Sequence, residues 1–325
     1  MDIIVAKNLV RQFHSKPKPT GSFKLLKAIF SFQKETKNVV NNVTFTVRKG
    51  DIVGYIGPNG AGKSTTIKML SGVLVPTSGT VHVNGMEPHK NRKQHARHIG
   101  VVFGQRTQLW WDLPLIESFK LLGKIYDVPK ERFERNLEMF TDILDMSSFL
   151  KTPVRQLSLG QRMRGDIAAA LLHEPEILFL DEPTIGLDIM AKEKIQTFLQ
   201  QINKEKEITI ILTTHNLDDI EKLCRRVIFI DKGKVLFDGG TEELAAEFEG
   251  HRYLVVDAPN WDEAAWSGPP VERRENNQLF FRIEDDKQVA PMIKQLTDLL
   301  DIHNLTVQEP KIDDVIKQLY KRIEQ

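Results

Sequence analysis

The sequence predicts an α/β fold with a central parallel sheet, followed by a smaller α+β domain. Three features lead to this prediction. A strand-like run, a glycine-rich turn and a helix-like run follow one another within residues 52–74. Two later apolar runs, "EILFLDEP" and "ITIILTTH", end in polar residues, which is typical of central parallel strands with functional groups at their carboxyl ends. The pattern changes from about Thr241 onward, which separates residues 1–240 from residues 241–325.

The first elements are predicted from periodicity. In "VTFTVRKGDIVGYIG" apolar residues alternate at Val43, Phe45 and Val47, which indicates a half-exposed strand beginning near Val39. The apolar run that follows the turn predicts a buried strand. The segment "KSTTIKMLSGVL" and residues 114–150 have helical periodicity.

Residues 241–325 are predicted to form a separate small α+β domain. "RYLVVD" and "NQLFFRIE" are strand-like, and "VAPMIKQLTDLL" places its apolar residues along one helical stripe. "LTVQEP" and the amphipathic "IDDVIKQLYKRI" follow.

The composition is that of a globular protein without a membrane span of its own. Hydrophobic residues make up 41% and charged residues 27% of the 325 residues. The formal net charge of +1 provides no overall field for nucleic acid, so we expect no nucleic-acid partner. The one cysteine, Cys224, excludes an internal disulfide network and fits a reducing compartment. The apolar runs are broken by charges and prolines, and the N-terminal residues do not resemble a signal peptide, so we expect a cytosolic location.

A phosphate-binding loop is predicted between the buried strand and the first helix. The stretch "GPNGAGKST" matches G-x-x-x-x-G-K-[ST] in the strand–loop–helix context that this motif requires. Its backbone N–H groups would converge on phosphate oxygens, Lys63 would reach the β- and γ-phosphates, and the Ser64 hydroxyl would bind Mg²⁺. ATP and Mg²⁺ are therefore the expected cofactors. The predicted phosphate-binding residues are Gly57, Pro58, Asn59, Gly60, Ala61, Gly62, Lys63, Ser64 and Thr65.

The stretch "ILFLDEP" supplies two carboxylates at the end of an apolar strand. Asp181 is the second expected Mg²⁺ ligand. Because successive side chains of a strand alternate in direction, Glu182 is expected to point away from Asp181 and to orient and deprotonate water, a role that contributes ~10²–10⁴ in rate. The alternative is that Glu182 forms a surface salt bridge.

A second anion site is suggested by "LSLGQRMRG". Ser158 and Gln161 have the spacing of a helix capping box, and apolar residues follow at helical spacing. Gly160 would leave backbone N–H groups open to an anion at the helix N-terminus. Since one chain's own loop covers only one side of a triphosphate, the expected ligand is the γ-phosphate of ATP bound to another copy. The alternative is simply a well-capped helix.

The order of these motifs resembles that of the nucleotide-binding subunit of an ATP-binding-cassette (ABC) transporter. "GPNGAGKST", Gln105, "LSLGQ", "ILFLDEP", "GLD" and "TTH" occur in that family's order over roughly residues 1–240. The resemblance implies an α/β P-loop NTPase (RecA-like) core with an antiparallel β subdomain and a helical signature subdomain at about residues 106–160. It also implies ATP hydrolysis by two subunits paired head to tail around two ATP molecules, with a homodimer as the simpler expectation.

The resemblance assigns further residues by position. Phe13 corresponds to the aromatic residue that stacks on adenine. Gln105 corresponds to a catalytic residue that senses Mg²⁺ and water, and it is the third expected Mg²⁺ ligand. Asp188 corresponds to the residue that couples the two sites across the dimer, and His215 to the catalytic residue that contacts the γ-phosphate. Taken alone, Phe13 would be a core residue and His215 a surface histidine. The signature that faces the partner's ATP would be Ser158, Leu159, Gly160 and Gln161.

Two departures from the family pattern stand out. Leu159 occupies a position where the family commonly has glycine, but Ser158 and Gly160 remain, so we expect hydrolysis to survive. An insertion at residues 14–38 carries six lysines and one acid around several aromatic and aliphatic residues. This insertion is either a lysine-rich loop with a short helix packed on the sheet, or a basic amphipathic helix that contacts lipid or the membrane partner.

The partners are also implied by the resemblance. The adjacent Trp110 and Trp111 either pack into the helical subdomain or contact a partner, with one tryptophan in each role as a further possibility. The C-terminal domain resembles the accessory domain of type-2 exporters, whose permeases are separate chains. We therefore expect integral membrane permease subunits, a second copy of the ATPase, and a peripheral position on the cytoplasmic face of the cell membrane. The alternative is a soluble ABC ATPase that acts on the ribosome or on DNA.

Overall fold

The chain forms two compact units, which divide between Gly240 and Thr241. Most of the insertion at 14–38 and the final amphipathic segment lie outside the described residues. Within the part of the chain that is described, no helix is both long and apolar enough to cross a bilayer. The computed structural model describes residues 1–15, 35–104, 106–214, 216–247, 252–261 and 266–308.

The first unit alternates strands and helices. Its strands are β1 (Asp2–Ser15), β2 (Glu35–Arg48), β3 (Ile52–Ile56), β4 (Ser78–Val83), β5 (Ile99–Phe103), β6 (Ile177–Asp181), β7 (Thr209–Thr213), β8 (Arg226–Asp231) and β9 (Lys234–Gly240). Its helices are α1 (Lys63–Leu70), α2 (Arg92–Ala96), α3 (Leu115–Ile125), α4 (Lys130–Ile143), α5 (Leu159–Leu171), α6 (Ile189–Lys206) and α7 (Leu217–Leu223), with a 3₁₀ turn at Val154–Gln156.

The second unit is a smaller α+β arrangement. Its elements are α8 (Thr241–Glu247), β10 (Arg252–Asp257), β11 (Arg273–Glu275), β12 (Gln278–Ile283), α9 (Asp286–Leu299) and β13 (Asn304–Gln308).

A six-stranded sheet in the order β5-β6-β7-β3-β8-β9 forms the centre of the first unit. All its pairs are parallel except β8 with the edge strand β9. β6 and β7 are apolar along almost their whole length and buried, as expected for strands covered on both faces. The predicted α/β class is confirmed. The pairing of Asp181 with Thr213 brings the carboxyl ends of β6 and β7 to the same edge of the sheet.

A second, antiparallel sheet has the order β2-β1-β4, as the family resemblance implied. The predicted alternation in β2 is confirmed, since Val43, Phe45 and Val47 are buried while Thr44 faces outward. The strand begins at Glu35, earlier than the predicted start near Val39. Phe45 packs on Tyr55 of β3 with ring centroids 5.6 Å apart, so the core extends across both sheets.

Helices α3 and α4 occupy the stretch in which helical periodicity was predicted. Each follows a proline, which cannot continue a preceding helix but fits the position just before a first turn. Phe119 and Phe140 anchor the two helices in the core, and Phe140 meets Phe198 of α6 edge to face at 5.7 Å.

The second unit has its own core. Its sheet runs in the order β11-β12-β10-β13, and every pair is antiparallel. Leu254 and Phe281 of the sheet and Leu296 of α9 are fully buried in one cluster. The predicted strands "RYLVVD" and "NQLFFRIE" and the predicted helix are confirmed.

We expect His173 to make the protein less stable in acid. Its ring stacks on Tyr126 with centroids 4.0 Å apart, its Nε2 lies 3.0 Å from the Ile99 carbonyl oxygen, and burial lowers its pKa to about 4. Between about pH 6.5 and pH 4 the unfolded chain therefore binds a proton that the folded chain does not, so stability falls as the pH falls. The loss amounts to about 3 kcal/mol below this window.

Urea unfolding across this pH range measures the effect. His173→Gln keeps an amide N–H for the Ile99 carbonyl but does not titrate. The stability of this variant should therefore lack the part of the pH dependence that comes from the His173 proton. His14→Gln, the same substitution at an exposed histidine, is the matched control. An unchanged pH dependence in His173→Gln would contradict the assignment.

Candidate functional site

The loop between β3 and α1 has the backbone that its glycines predict. Gly62, at the N-cap of α1, has a φ of 108°, and a Cβ there would lie 2.6 Å from the Val39 carbonyl oxygen. At Gly57 a Cβ would lie 2.1 Å from the Ile230 carbonyl oxygen. Both positions therefore require glycine. The Gly62 carbonyl accepts the Thr66 N–H at 2.9 Å, so the loop runs directly into the first turn of the helix.

Lys63 folds back onto this loop. Its Nζ donates to the carbonyl oxygens of Gly57 at 2.6 Å and of Pro58 at 3.2 Å. Burial lowers the pKa of the Lys63 ammonium, while the nearby carboxylates of Glu182 and Asp181 act in the opposite direction. A buried cation on a glycine-rich loop before a helix N-terminus is an arrangement suited to phosphate oxygens.

Asp181 ends β6 beside two hydroxyl groups. Its Oδ1 accepts from the Ser64 Oγ at 3.1 Å and from the Thr213 Oγ1 at 2.5 Å. The structure thus brings together Ser64 and Asp181, two of the three residues predicted as Mg²⁺ ligands, which are distant in sequence. A carboxylate and a hydroxyl oxygen are hard donors of the kind that Mg²⁺ prefers, so these side chains fit that ion.

Glu182 lies just past the end of the strand, in a left-handed conformation with a φ of 56°. Its backbone N–H donates to the Thr213 carbonyl oxygen at 2.9 Å. The sequence interpretation attributed the direction of Glu182 to alternation along a strand, and this reason is wrong because the strand stops at Asp181. The direction of Glu182 is set instead by a left-handed turn, a conformation that non-glycine residues seldom adopt.

The two carboxylates border one cleft of about 370 Å³. The cleft is also lined by Ser64 and by the residues that leave β5, Phe103, Gly104 and Arg106. The Gly104 N–H donates to the Asp181 carbonyl oxygen at 2.7 Å, which fixes the end of β5 to the end of β6. Gln105 and His215 lie outside the described residues, so their predicted roles stay predictions.

The signature segment begins α5 with a complete capping box. The Gln161 N–H donates to the Ser158 Oγ at 3.2 Å, and the Ser158 N–H donates to the Gln161 Oε1 at 2.9 Å. The predicted capping box is confirmed. Ser158 is exposed, and Leu159 is half-exposed beside it.

Gly160 has a packing role that the sequence did not reveal. It is buried, and a Cβ there would lie 3.1 Å from the Cβ of Ala191 in the first turn of α6. The expectation that glycine serves to open the backbone toward an anion is therefore incomplete, because close approach of α5 to α6 also demands a small residue. Asp188 caps α6, since its Oδ1 accepts the Ala191 N–H at 2.9 Å. The signature and Asp188 thus belong to one packed assembly.

The aromatic residues singled out in the sequence are exposed. Phe13 on β1 is 39% exposed with the Arg11 guanidinium 4.8 Å from its ring centre, so the core-residue alternative is wrong. Trp110 and Trp111 are 38% and 50% exposed. Burial of a tryptophan in the helical subdomain is therefore wrong for both, although Arg162 lies 5.5 Å from the ring centre of Trp111.

Asp166 is a residue that sequence reasoning missed. It lies on the buried side of α5, and its Oδ1 accepts from the Thr107 Oγ1 at 2.8 Å and from the Gln108 N–H at 3.1 Å. Burial raises the pKa of its carboxyl group to about 6. Asp166 fastens the segment that follows Gln105 to the signature helix. The sequence did contain a signal for this residue. Asp166 follows Met163 by three positions and so lies on the apolar face of an amphipathic helix, where an aspartate is unexpected.

Comparisons with known proteins agree on one family. A sequence model described as "ABC transporter" matches residues 40–185. The chain is 33% identical over 215 residues to the ABC transporter ATP-binding protein NatA of Bacillus subtilis (strain 168), a match that covers 66% of this chain and 87% of that protein. It is 32% identical over 293 residues to Nod factor export ATP-binding protein I of Paraburkholderia xenovorans (strain LB400), covering 88% and 93% respectively.

A solved structure extends the likeness to three dimensions. A dimeric ATP-binding cassette in a post-hydrolysis state, bound to ADP and Pi, matches with a TM-score of 0.60 and 26% sequence identity. The match covers 73% of this chain and 98% of that one.

Proposed function

The chain belongs to the family of ABC transporter ATP-binding proteins, and on that premise we propose that two copies pair head to tail around two ATP molecules and drive export through separate membrane permease subunits. The observation that carries the proposal is that the Ser64 and Thr213 hydroxyls both donate to Asp181 within 3.1 Å, and that Ser64, Asp181 and Glu182 line one cleft.

The residues of this cleft divide the work of hydrolysis. The loop N–H groups and Lys63 bind the β- and γ-phosphates, while Ser64 and Asp181 hold Mg²⁺. When bound, Mg²⁺ offsets the phosphate charge and polarises the bond to be broken. Glu182 orients the attacking water and accepts its proton. The left-handed conformation of Glu182 supports this role, because it places a second carboxylate at the cleft directly after Asp181, where the strand has ended.

The remaining roles are proposed from the family pattern. Gln105 contributes to Mg²⁺ and water sensing and His215 to contact with the γ-phosphate. Phe13 stacks on adenine, which its exposed ring on β1 permits. Asp188 couples the two sites of the dimer, an idea supported by its packing with the signature in one assembly. Ser158, Leu159, Gly160 and Gln161 face the ATP of the other copy.

Export is proposed from the relatives. One similar protein that matches along most of its length is named for Nod factor export. The exposed Trp110 and Trp111 follow the cleft-lining Arg106 by four and five positions and are available to a permease. They support a peripheral position at the cytoplasmic face of the membrane. The soluble alternative on ribosome or DNA has no specific observation in its favour, and the net charge of +1 argues against it.

We expect the full-length chain to release phosphate from ATP only when Mg²⁺ is present. EDTA should abolish the activity, because Ser64 and Asp181 act on the phosphates through the Mg²⁺ that they hold and not by direct contact. Lys63→Ala should lower the rate by about a hundredfold or more, since a buried phosphate-binding cation is lost. A coupled phosphate assay measures both effects, with Lys49→Ala in an exposed turn as the matched control.

Absence of Mg²⁺-dependent hydrolysis in the wild-type chain would contradict the ATPase assignment. The transport part is tested separately, by identifying the integral membrane proteins that copurify with the tagged chain from detergent extracts of its own cells. Copurification with ribosomes or DNA instead would favour the soluble alternative.

A further inference from the structure

A fully buried carboxylate lies behind the catalytic cleft. Asp219 on α7 is 0% exposed, and its two oxygens accept hydrogen bonds from three side chains. Oδ2 accepts from the hydroxyls of Thr184, in a very short contact, and of Thr214, at 3.1 Å. Oδ1 accepts from the Gln196 Nε2 at 2.7 Å. Three donors thus compensate this buried carboxyl group for its lost hydration.

The donors come from different segments around the cleft. Thr184 lies two residues after Glu182, in the same turn, and the Ile185 N–H also reaches back to the Glu182 carbonyl oxygen at 3.4 Å. Gln196 lies on α6, the helix that Asp188 caps. Asp219 therefore joins the turn that carries Glu182 to the helix that begins at Asp188.

Attachment of α7 to α6 does not by itself require Asp219. The neighbouring Asp218 already forms ion pairs with Lys192 of α6 at 2.6 Å and with Lys222 of α7 at 3.1 Å. Asp219 also lies 3.5 Å from Lys192. In addition it accepts a hydrogen bond from Thr184, which the ion pairs of Asp218 do not replace. Its distinctive contact is thus with the catalytic turn.

We propose that Asp219 is a positioning residue for hydrolysis, which holds the turn of Glu182 through Thr184 and links it to α6. The inference rests on the proposed ATPase function. Glu182 is in a left-handed turn, which persists only when surrounding contacts hold it. Loosening Thr184 lets the turn relax and moves the Glu182 carboxylate from its place in the cleft, while the phosphate loop, on other elements, is unaffected.

Steady-state ATP hydrolysis and thermal unfolding of full-length variants test the proposal. Thr184→Val removes the hydroxyl with little change in shape, and Asp219→Asn weakens the acceptor. Each should lower kcat by about tenfold to a hundredfold at nearly unchanged KM for ATP, as expected for a small displacement of a catalytic group. Thr184→Ser keeps the hydroxyl and should retain the wild-type kcat. Asp218→Asn, at the adjacent exposed carboxylate, should also retain the wild-type kcat.

The double variant completes the test. Because Thr184→Val and Asp219→Asn affect the same hydrogen bond, the double variant should be no slower than Asp219→Asn alone. A wild-type kcat in folded Thr184→Val, or in folded Asp219→Asn, would overturn the proposal while leaving the ATPase function standing. If Asp219→Asn does not fold, Thr184→Val and Thr184→Ser decide the matter. A wild-type chain without Mg²⁺-dependent hydrolysis would overturn both.

Discussion

Glu182→Gln is expected to lower the rate of ATP hydrolysis by ~10²–10⁴ while ATP still binds. The substitution keeps the size of the side chain and removes the group that accepts the proton of water. The phosphate loop, Lys63 and the Ser64–Asp181 pair are untouched, so the nucleotide and Mg²⁺ are retained. Because ATP still binds while its hydrolysis is slowed, ATP-bound dimers should accumulate. Single-turnover phosphate release gives the rate, and light scattering after gel filtration with ATP gives the mass.

Glu207→Gln is a matched control for this substitution. Glu207 also has a left-handed backbone, with a φ of 51°, and ends α6 away from the cleft. The same chemical change in the same backbone conformation should leave hydrolysis at the wild-type rate. Turnover near the wild-type rate in Glu182→Gln would show that another group accepts the proton.

Ser158→Arg is expected to abolish hydrolysis without weakening ATP binding to the single subunit. Ser158 is exposed at the start of α5, and its ligand is proposed to be the ATP of the other copy. An arginine there removes the hydroxyl that is proposed to contact the partner's ATP, so the site that this signature completes does not turn over. Loss of the cap costs about 1 kcal/mol, so Ser158→Asn, which retains capping ability, serves to separate helix stability from contact with the partner's ATP. Calorimetric titration of ATP and a phosphate assay give the two readouts, and loss of subunit ATP affinity would contradict the assignment.

Mixing two inactive variants tests the head-to-tail arrangement directly. In a mixed dimer of Ser158→Arg and Lys63→Ala, one site combines the intact phosphate loop of the first chain with the intact signature of the second. The other site contains both substitutions. Activity should therefore reappear on mixing, up to about half of the wild-type rate per mixed dimer, because one of the two sites is whole. A mixture as inactive as its components would argue for sites completed within one chain.

The sequence predicted this fold well because its signals are local. The phosphate loop has a fixed spacing between a strand and a helix, the central strands are short apolar runs, and the capping box at Ser158 is a contact between neighbours. These features depend on residues within a few positions of one another. For the same reason the strands and helix of the second unit could be located from periodicity.

The remaining features depend on contacts between distant segments. Gly160 packs on Ala191, Asp166 accepts from Thr107, and Asp219 accepts from Thr184, and none of these pairs is adjacent in the chain. The sequence placed Gly160 and Asp166 on the helix that begins at the signature, without showing which residues they would contact. The direction of Glu182 was attributed to strand alternation because a single left-handed residue leaves no mark in composition.

The contacts of Lys63 with the carbonyl oxygens of Gly57 and Pro58 bear on how fast a nucleotide is taken up. The ammonium lies against the loop and contacts two of its carbonyl oxygens. An arriving triphosphate exchanges these two backbone contacts for its own oxygens, and little chain entropy is lost at that moment. We therefore expect the association rate constant to be governed by diffusional encounter and the release rate by the strength of the phosphate contacts.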